Sequence, residues 1–288
     1  MKRETKANEN EKRVVFRKFD SVTELSEFIK NTPQTKEGER VNLSRTGSYD
    51  FCGTHNFDEA EKLLLYGDSE NAEKVRKNIE KITAGLKGKN KSFKGAKTLS
   101  YSLKSSAVGF LPIVPKYLAG EPENMLTLHK VQKKTTKVLN VFVYNNAPYC
   151  FGADEVNPAM CRMLLAILML EKEGFRVNIF FTDLSEQGKG CFMLSVVKIK
   201  DSGQKLDLLK IAYPLCNPSF KRRHLFAVRE RTKDSRVKLK SNHGAVCLSY
   251  EAEELIRNQN FNNFAVISFI NCKDKNVGEI SDFIKSQF

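Results

Sequence analysis

Apolar positions change period several times along the chain, and the changes mark out its elements. Residues 1–12 are polar and read as a disordered tail. Val14, Val15, Phe16 and Phe19 then make a short apolar patch. Val22, Leu25, Phe28 and Ile29 recur at helical spacing behind Asp20 and Ser21, either of which can cap, so a helix is expected over Ser21–Lys30. Asn31-Thr32-Pro33 ends it, and residues 34–40 read as a polar loop. Asn56 is the next cap, with Asp58 and Glu59 in a first turn whose dipole favours negative charge. Ala60, Leu63 and Leu64 form its stripe and Gly67 its end. Ala72, Val75, Ile79 and Ile82 place a second helix over Ser69–Ala84, which makes an αα-hairpin.

From Lys81 to Gly120 the pattern fades. This stretch has eight lysines and no acidic residue, with Gly85, Gly88 and Gly95 punctuating it. It reads as a basic loop, either simply solvated or touching phosphate. Pro112 to Gly120 is stiff and apolar and reads as a strap. The second half is better ordered. Lys137–Tyr144 and Arg176–Thr182 read as buried strands. Between them Asn157-Pro158 opens a helix to Glu173 that is apolar nearly all round and therefore central. Strand, helix, strand with short links implies a parallel βαβ unit. Cys191–Lys200 is a third strand, placed to pair antiparallel as a hairpin. Leu206–Tyr213 reads as a helix broken by Pro214 and Pro218, Ser249 caps Glu251–Arg257, Phe264–Ile270 is a last buried strand, and Ile280–Phe288 a terminal helix.

The expected fold is therefore α/β, a mixed, partly parallel sheet with a buried central helix, plus a small N-terminal helical subdomain. The expected divisions are 1–12 tail, 13–85 helical subdomain, 86–129 basic loop and Pro-containing strap, and 130–288 α/β domain.

Two resemblances add to this. Thr46-Gly47-Ser48-Tyr49-Asp50-Phe51-Cys52-Gly53-Thr54, followed by Phe57–Leu64 and Gly67, resembles a family of uncharacterised tailed-bacteriophage and prophage proteins. Gly109, Pro112, Val114-Pro115, Tyr117–Gly120, Pro122 and Met125 resemble a second segment of the same family. The resemblance implies a phage-encoded origin and a host-cytoplasmic setting. The strand–helix–strand of 137–182 is similar to the von Willebrand factor A-like fold, which often holds Mg²⁺ through Asp-x-Ser-x-Ser after its first strand. Here that place reads Tyr144-Asn145-Asn146-Ala147-Pro148, with no carboxylate and no hydroxyl pair, whereas Mg²⁺ takes anionic oxygen ligands.

Charge sharpens the functional question. Lys and Arg number 48 against 34 acids, a net charge of +14 over 288 residues. Such a field draws polyanions or acidic protein surfaces, or serves solubility alone. The densest basic stretch, Lys198–Lys240, holds Lys221, Arg222, Arg223, Arg229, Arg231, Lys233, Arg236, Lys238 and Lys240, with Phe220 and Phe226 interspersed. These nine are the candidate nucleic-acid contacts, tracking a phosphate backbone without reading sequence; a solvated basic surface is the competing reading. The seven cysteines show no C-x-x-C spacing and fit small buried hydrophobes in a reducing compartment. Cys52 with His55 is a nucleophile–base pair only by adjacency. Asp154, Glu155 and Asp183 near strand ends are the one route to a metal-dependent nuclease, since open α/β sheets place ligands there. No metal or cofactor site is expected. The polar N-terminus lacks the apolar core of a signal peptide, and the run Met163–Leu170 is far short of a membrane span. The expectation is thus a non-enzymatic phage accessory or assembly protein of the host cytoplasm or virion. It would act through protein contacts, self-association included, and through nucleic acid, with no membrane.

Overall fold

The computed structural model describes residues 13–85, 97–134, 137–144, 153–188, 190–234, 238–259 and 261–288. It divides into two compact units, one holding the described residues of 13–85, 138–172 and 176–288, the other those of 97–134 with 137 and 173–175.

The larger unit begins with a strand where an isolated apolar patch is expected. β1 (Arg13–Phe19) alternates: Val15 packs with Met193 and Leu239 on one face, Val14 and Phe16 against the main core on the other. α1 (Val22–Asn31) is capped by Ser21 Oγ, which accepts from Glu24 N–H at 3.0 Å, and buries Leu25 and Ile29. The expected polar loop after Thr35 is instead α2 (Lys36–Val41), because Thr35 Oγ1 accepts from Gly38 N–H at 3.0 Å and caps it. Two single turns follow, α3 (Leu43–Thr46) and α4 (Tyr49–Cys52). α5 (Phe57–Tyr66) and α6 (Ser69–Gly85) are the expected hairpin; Asn56 Oδ1 accepts from Glu59 N–H at 2.8 Å and Asp68 Oδ1 from Asn71 N–H at 2.9 Å.

The smaller unit corrects the reading of a basic loop and strap over its described residues; 86–96 lie outside them. β2 (Lys97–Ser106), β3 (Leu111–Pro112), the short helix α7 (Val114–Leu118) and β4 (Met125–Lys134) build it. The strands form an antiparallel sheet in the order β2-β4-β3. Gly109 is required at the turn: a Cβ there would lie 2.1 Å from Leu126 O, and the close approach lets Phe110 N–H donate to that same carbonyl at 2.9 Å.

In the larger unit the second half follows expectation closely. β5 (Val138–Tyr144), α8 (Ala153–Lys172) and β6 (Arg176–Gly188) form a βαβ unit with parallel strands. α8 starts one turn before Asn157 and carries Pro158 inside it. Met160, Met163, Leu164 and Ile167 are fully buried, as a central helix requires. β7 (Cys191–Lys200) returns antiparallel to β6. α9 (Leu208–Cys216) runs through Pro214, and a single π-helical turn, Phe220–Leu225, leads straight into α10 (Phe226–Arg231). β8 (Ala245–Val246), α11 (Ser249–Arg257), β9 (Phe264–Ser268), α12 (Phe269–Lys273) and α13 (Val277–Ser286) complete the chain. Among the described residues, six strands make the sheet, ordered β1-β7-β6-β5-β9 with β8 beside β6. β1 is parallel to β7, and β5 is parallel to β6 and β9.

The fold is thus mixed α/β with a mostly parallel sheet. The N-terminal helices expected as a separate subdomain belong to the same compact unit as that sheet. No described helix is long and apolar enough to cross a membrane.

Candidate functional site

The parallel register of β5 and β6 ends at Tyr144 and Thr182. Beyond it β6 continues to Gly188, flanked by β7 and by β8, which pairs at Ser185 and Glu186. Asp183 lies at the start of this extension and is 1% exposed. Residues 221–231 of the basic stretch pack into the larger unit, and their charges are spent within the protein.

Arg223, fully buried, is the clearest case. Its guanidinium donates to the carbonyls of Ser44 (3.1 Å), Arg45 (3.1 Å), Gly47 (2.9 Å) and Thr54 (2.7 Å), and Nε to Thr54 Oγ1 (3.3 Å). The turns α3 and α4 are too short to satisfy their own terminal carbonyls; the Arg223 fork serves Ser44 and Arg45 of α3 and the flanking Gly47 and Thr54, while Arg222 and Ser219 Oγ donate to Phe51 O and Cys52 O of α4. Arg229 forms an ion pair with Asp183 and donates to His243 O at 2.7 Å. Arg231 donates to Ile29 O at 2.9 Å and Ala227 O at 3.1 Å. Arg222 lies over the Phe51 ring, 4.3 Å from its centroid, and donates to Phe51 O. Lys221 Nζ stands 3.9 Å from Asp183 Oδ1, and burial, with Arg229 and Arg222 adding to it, pushes its ammonium below the usual lysine range.

Acidic and neutral partners complete the lattice. Glu230 is fully buried and accepts from Ser44 N–H (2.9 Å), Ser44 Oγ and Gln34 Nε2 (2.8 Å), with His243 Nε2 at 3.3 Å. Burial alone would raise its carboxyl; the hydrogen bonds from His243 and Ser44 outweigh that and hold it below the usual range. His224 bridges Tyr213 OH (3.0 Å at Nδ1) and Glu61 (3.2 Å at Nε2). Burial keeps both imidazoles below the usual histidine value. A neutral His224 with its proton on Nε2 satisfies both contacts at once. Close packing goes with the polarity: a Cβ on Gly38 would lie 2.0 Å from Glu230 O.

Five of the nine candidate contacts, Lys221, Arg222, Arg223, Arg229 and Arg231, are therefore structural groups facing inward, and the reading of them as a phosphate-tracking face is corrected. Lys233, Lys238 and Lys240 are exposed, and Arg236 lies outside the described residues. Asp183 faces guanidinium and ammonium groups, the reverse of what a cation site requires; the side chains of Asp154 and Glu155 lie outside the described residues. Among the described residues no three His, Cys, Asp or Glu side chains gather as metal ligands would. Cys52 and His55 do not meet as nucleophile and base. Cys52 is buried, which raises its thiol above the usual value, while His55 is exposed and stacks on Tyr49 at 4.5 Å. A groove of about 470 Å³ sets Lys30, Arg45 and Arg231 against Glu39, Asp58 and Glu61, so its walls favour neither sign of ligand.

A surface the sequence reading passed over lies on the smaller unit. Leu103, Val108, Phe110, Leu111, Val114, Tyr117, Leu118 and Leu128 are each 52–81% exposed. Leu103 pairs with Leu128, and Ser105 and Leu111 pair with Leu126 from either side. Register and the two-residue period thus put Leu103, Ser105, Leu111, Leu126 and Leu128 on one face, with Lys104 on the other. Among the described side chains of 103–128 none is buried. The signal was present in the alternation of Leu99, Tyr101 and Leu103 and of Leu126 and Leu128, but lysine density suggested a loop.

A family described as "Domain of unknown function (DUF7192)" matches residues 3–286. No curated protein and no solved structure matches the chain.

Proposed function

This chain belongs to the DUF7192 family, and we propose that it is a phage-encoded, non-enzymatic accessory or assembly protein that works by protein contact through its 97–134 unit. The observation that carries this is the set of eight large apolar side chains left exposed on that unit. Contiguous apolar surface beyond a few hundred Å² marks interaction sites. A small antiparallel sheet depends on its hydrophobic face for stability. In the polar interior of the larger unit the guanidinium groups of Arg223 and Arg231 are taken up by backbone carbonyls and that of Arg229 pairs with Asp183, which fits the same reading. Exposed Lys233, Lys238 and Lys240 supply a secondary, sequence-independent contact with a polyanion. Host cytoplasm or virion is the setting that goes with this role.

The test is the native size of the chain in an extract of the cells that make it. The wild type should migrate well above its 32.8 kDa monomer mass, and Leu103→Glu with Leu128→Glu should return it to monomer size. A wild-type chain that runs as a monomer in that extract would overturn the proposal.

A further inference from the structure

We propose that the groove of the larger unit lined by Gln34 and Arg231 is a binding site for a small zwitterion of the α-amino-acid class, its carboxylate held by arginine and its ammonium by Gln34 and the groove's acids. The site is independent of the contact face on the smaller unit.

Two braced side chains carry the inference. Arg231 is 6% exposed, and two of its nitrogens are engaged, Nε donating to Ile29 O at 2.9 Å and Nη1 to Ala227 O at 3.1 Å. Nη2 has no acceptor among the described residues. It is not one of the buried atoms left unpartnered, so it reaches the surface, and the groove is the surface that Arg231 lines. Gln34 is the counterpart. Its Nε2 donates to Glu230 Oε2 at 2.8 Å and to Asn42 Oδ1 at 3.0 Å. An ionised carboxylate only accepts, so the amide nitrogen faces Glu230 and Oε1 turns away from it. Oε1 has no donor among the described residues and, like Nη2, is not a buried orphan. The groove thus presents one fixed donor and one fixed acceptor, each held by interior hydrogen bonds that leave it unused. Groups immobilised in this way lose little freedom when a ligand arrives.

Charge says which ligand completes them. Lys30 and Glu61 neutralise each other at 2.8 Å. The remaining charges of the groove are Arg45 and Arg231 against Glu39 and Asp58, and none of these four forms an ion pair among the described residues. Burial pushes the Arg231 guanidinium below its usual range; Glu230 opposes that shift and Arg45 adds to it. The two arginines therefore feel each other, and a carboxylate shared between them relieves the repulsion while matching the geometry of the guanidinium fork. A simple anion would satisfy the arginines and be repelled by Glu39 and Asp58, and a simple cation would meet the reverse. A ligand carrying both charges on neighbouring atoms answers both sets, and its ammonium also donates to Gln34 Oε1. Ile29, Pro33 and Phe57 give the groove its apolar wall, where an uncharged side chain of the ligand is accommodated. The volume of about 470 Å³ lies within the roughly 300–1,000 Å³ of small-molecule sites.

Isothermal titration of the purified full chain with each standard L-α-amino acid tests this. At least one with an uncharged side chain should bind saturably at micromolar to millimolar concentration. Its decarboxylated amine and its deaminated acid, which each keep one of the two charges, should bind about tenfold more weakly. Arg45→Gln, at an exposed side chain, should weaken the amino acid by a similar factor at an unchanged unfolding midpoint. Glu39→Gln with Asp58→Asn should weaken the amino acid and at the same time tighten the deaminated acid relative to wild type, a gain that damage to the groove cannot produce. No binding by any amino acid at millimolar concentration, a deaminated acid that binds wild type as tightly as its amino acid, or binding indifferent to both Arg45→Gln and the acid-pair variant would each overturn the proposal.

Discussion

Replacing Arg223 by alanine should cost the protein much of its stability. The guanidinium holds four carbonyls and one hydroxyl, and the bonds to Ser44 O, Thr54 O and Thr54 Oγ1 are fully buried. Each buried acceptor left without a donor costs ~1–3 kcal/mol. The partly exposed carbonyls of Arg45 and Gly47 recover water, and the lost methylenes leave a void that adds to the penalty. The sum is about 3–6 kcal/mol, a large share of the 5–15 kcal/mol that holds a typical domain together. Urea unfolding followed by circular dichroism should show a much lower midpoint at an unchanged slope. Lys238→Ala, at an exposed neighbour in sequence, should stay within about 0.5 kcal/mol. Arg223→Lys should restore little, because an ammonium cannot span four carbonyls as a planar fork does. The double charge reversal Arg222→Glu with Arg223→Glu should prevent folding, since it puts carboxylates against the carbonyls that Arg222 and Arg223 now serve. The reasoning fails if Arg223→Ala costs less than about 1 kcal/mol, or no more than Lys238→Ala.

The remaining predictions test other parts of the interior and the basic surface. Hydrogen bonds from His224, Lys30 and Ser26 outweigh burial and hold Glu61 at about 2 against 4.5 when unfolded, so its contribution is complete above 4.5 and is lost as pH falls toward 2. It amounts to up to roughly 3 kcal/mol. His224 and His243 also sit below their unfolded value of 6.5, so the unfolded chain takes up protons first and stability already declines as pH drops below 6.5. The thermal midpoint should therefore fall steadily from pH 7 to 4, and a midpoint that rises over that range would contradict the assignment. Gly38→Ala must push α2 off Glu230 O, where the new Cβ would stand 2.0 Å away, and should cost about 2–4 kcal/mol in the same urea assay; an unchanged midpoint would refute the close approach. Filter binding of labelled DNA at low salt should weaken when Lys233, Lys238 and Lys240 are together replaced by Glu, with a shallower salt dependence. If those changes leave binding unaffected, the exposed lysines serve solubility.

Much of this fold was legible because local signals and tertiary packing agreed. Asn56 with Glu59, Ser21 with Glu24, and the apolar strands on either side of α8 mean the same thing in isolation and in the fold. The basic segments failed for opposite reasons. In 97–134 Ser and Thr alternate with leucines along the strands, and averaging lysine density over the stretch hid a two-residue period that register makes plain. In 221–231 the charges were read as surface because arginine is rarely buried. Nothing local announces that short turns 180 residues upstream lack donors for their carbonyls, and only the folded arrangement shows that Arg223 supplies them. Pro158 and Pro214 misled more mildly, since each helix continues past the residue that should have marked a boundary.

The central claim is that protein contact resides on the apolar face of the 97–134 unit while the buried charges of the larger unit hold the fold. Native size and unfolding midpoint, measured side by side on Leu103→Glu with Leu128→Glu and on Arg223→Ala, separate the two most directly. The leucine variant should lose the wild type's large native size in extracts of the producing cells while the larger unit unfolds at the wild-type midpoint. Arg223→Ala should show the converse under conditions where it remains folded, a lowered midpoint with the native size retained. A leucine variant that keeps the full native size would contradict the account.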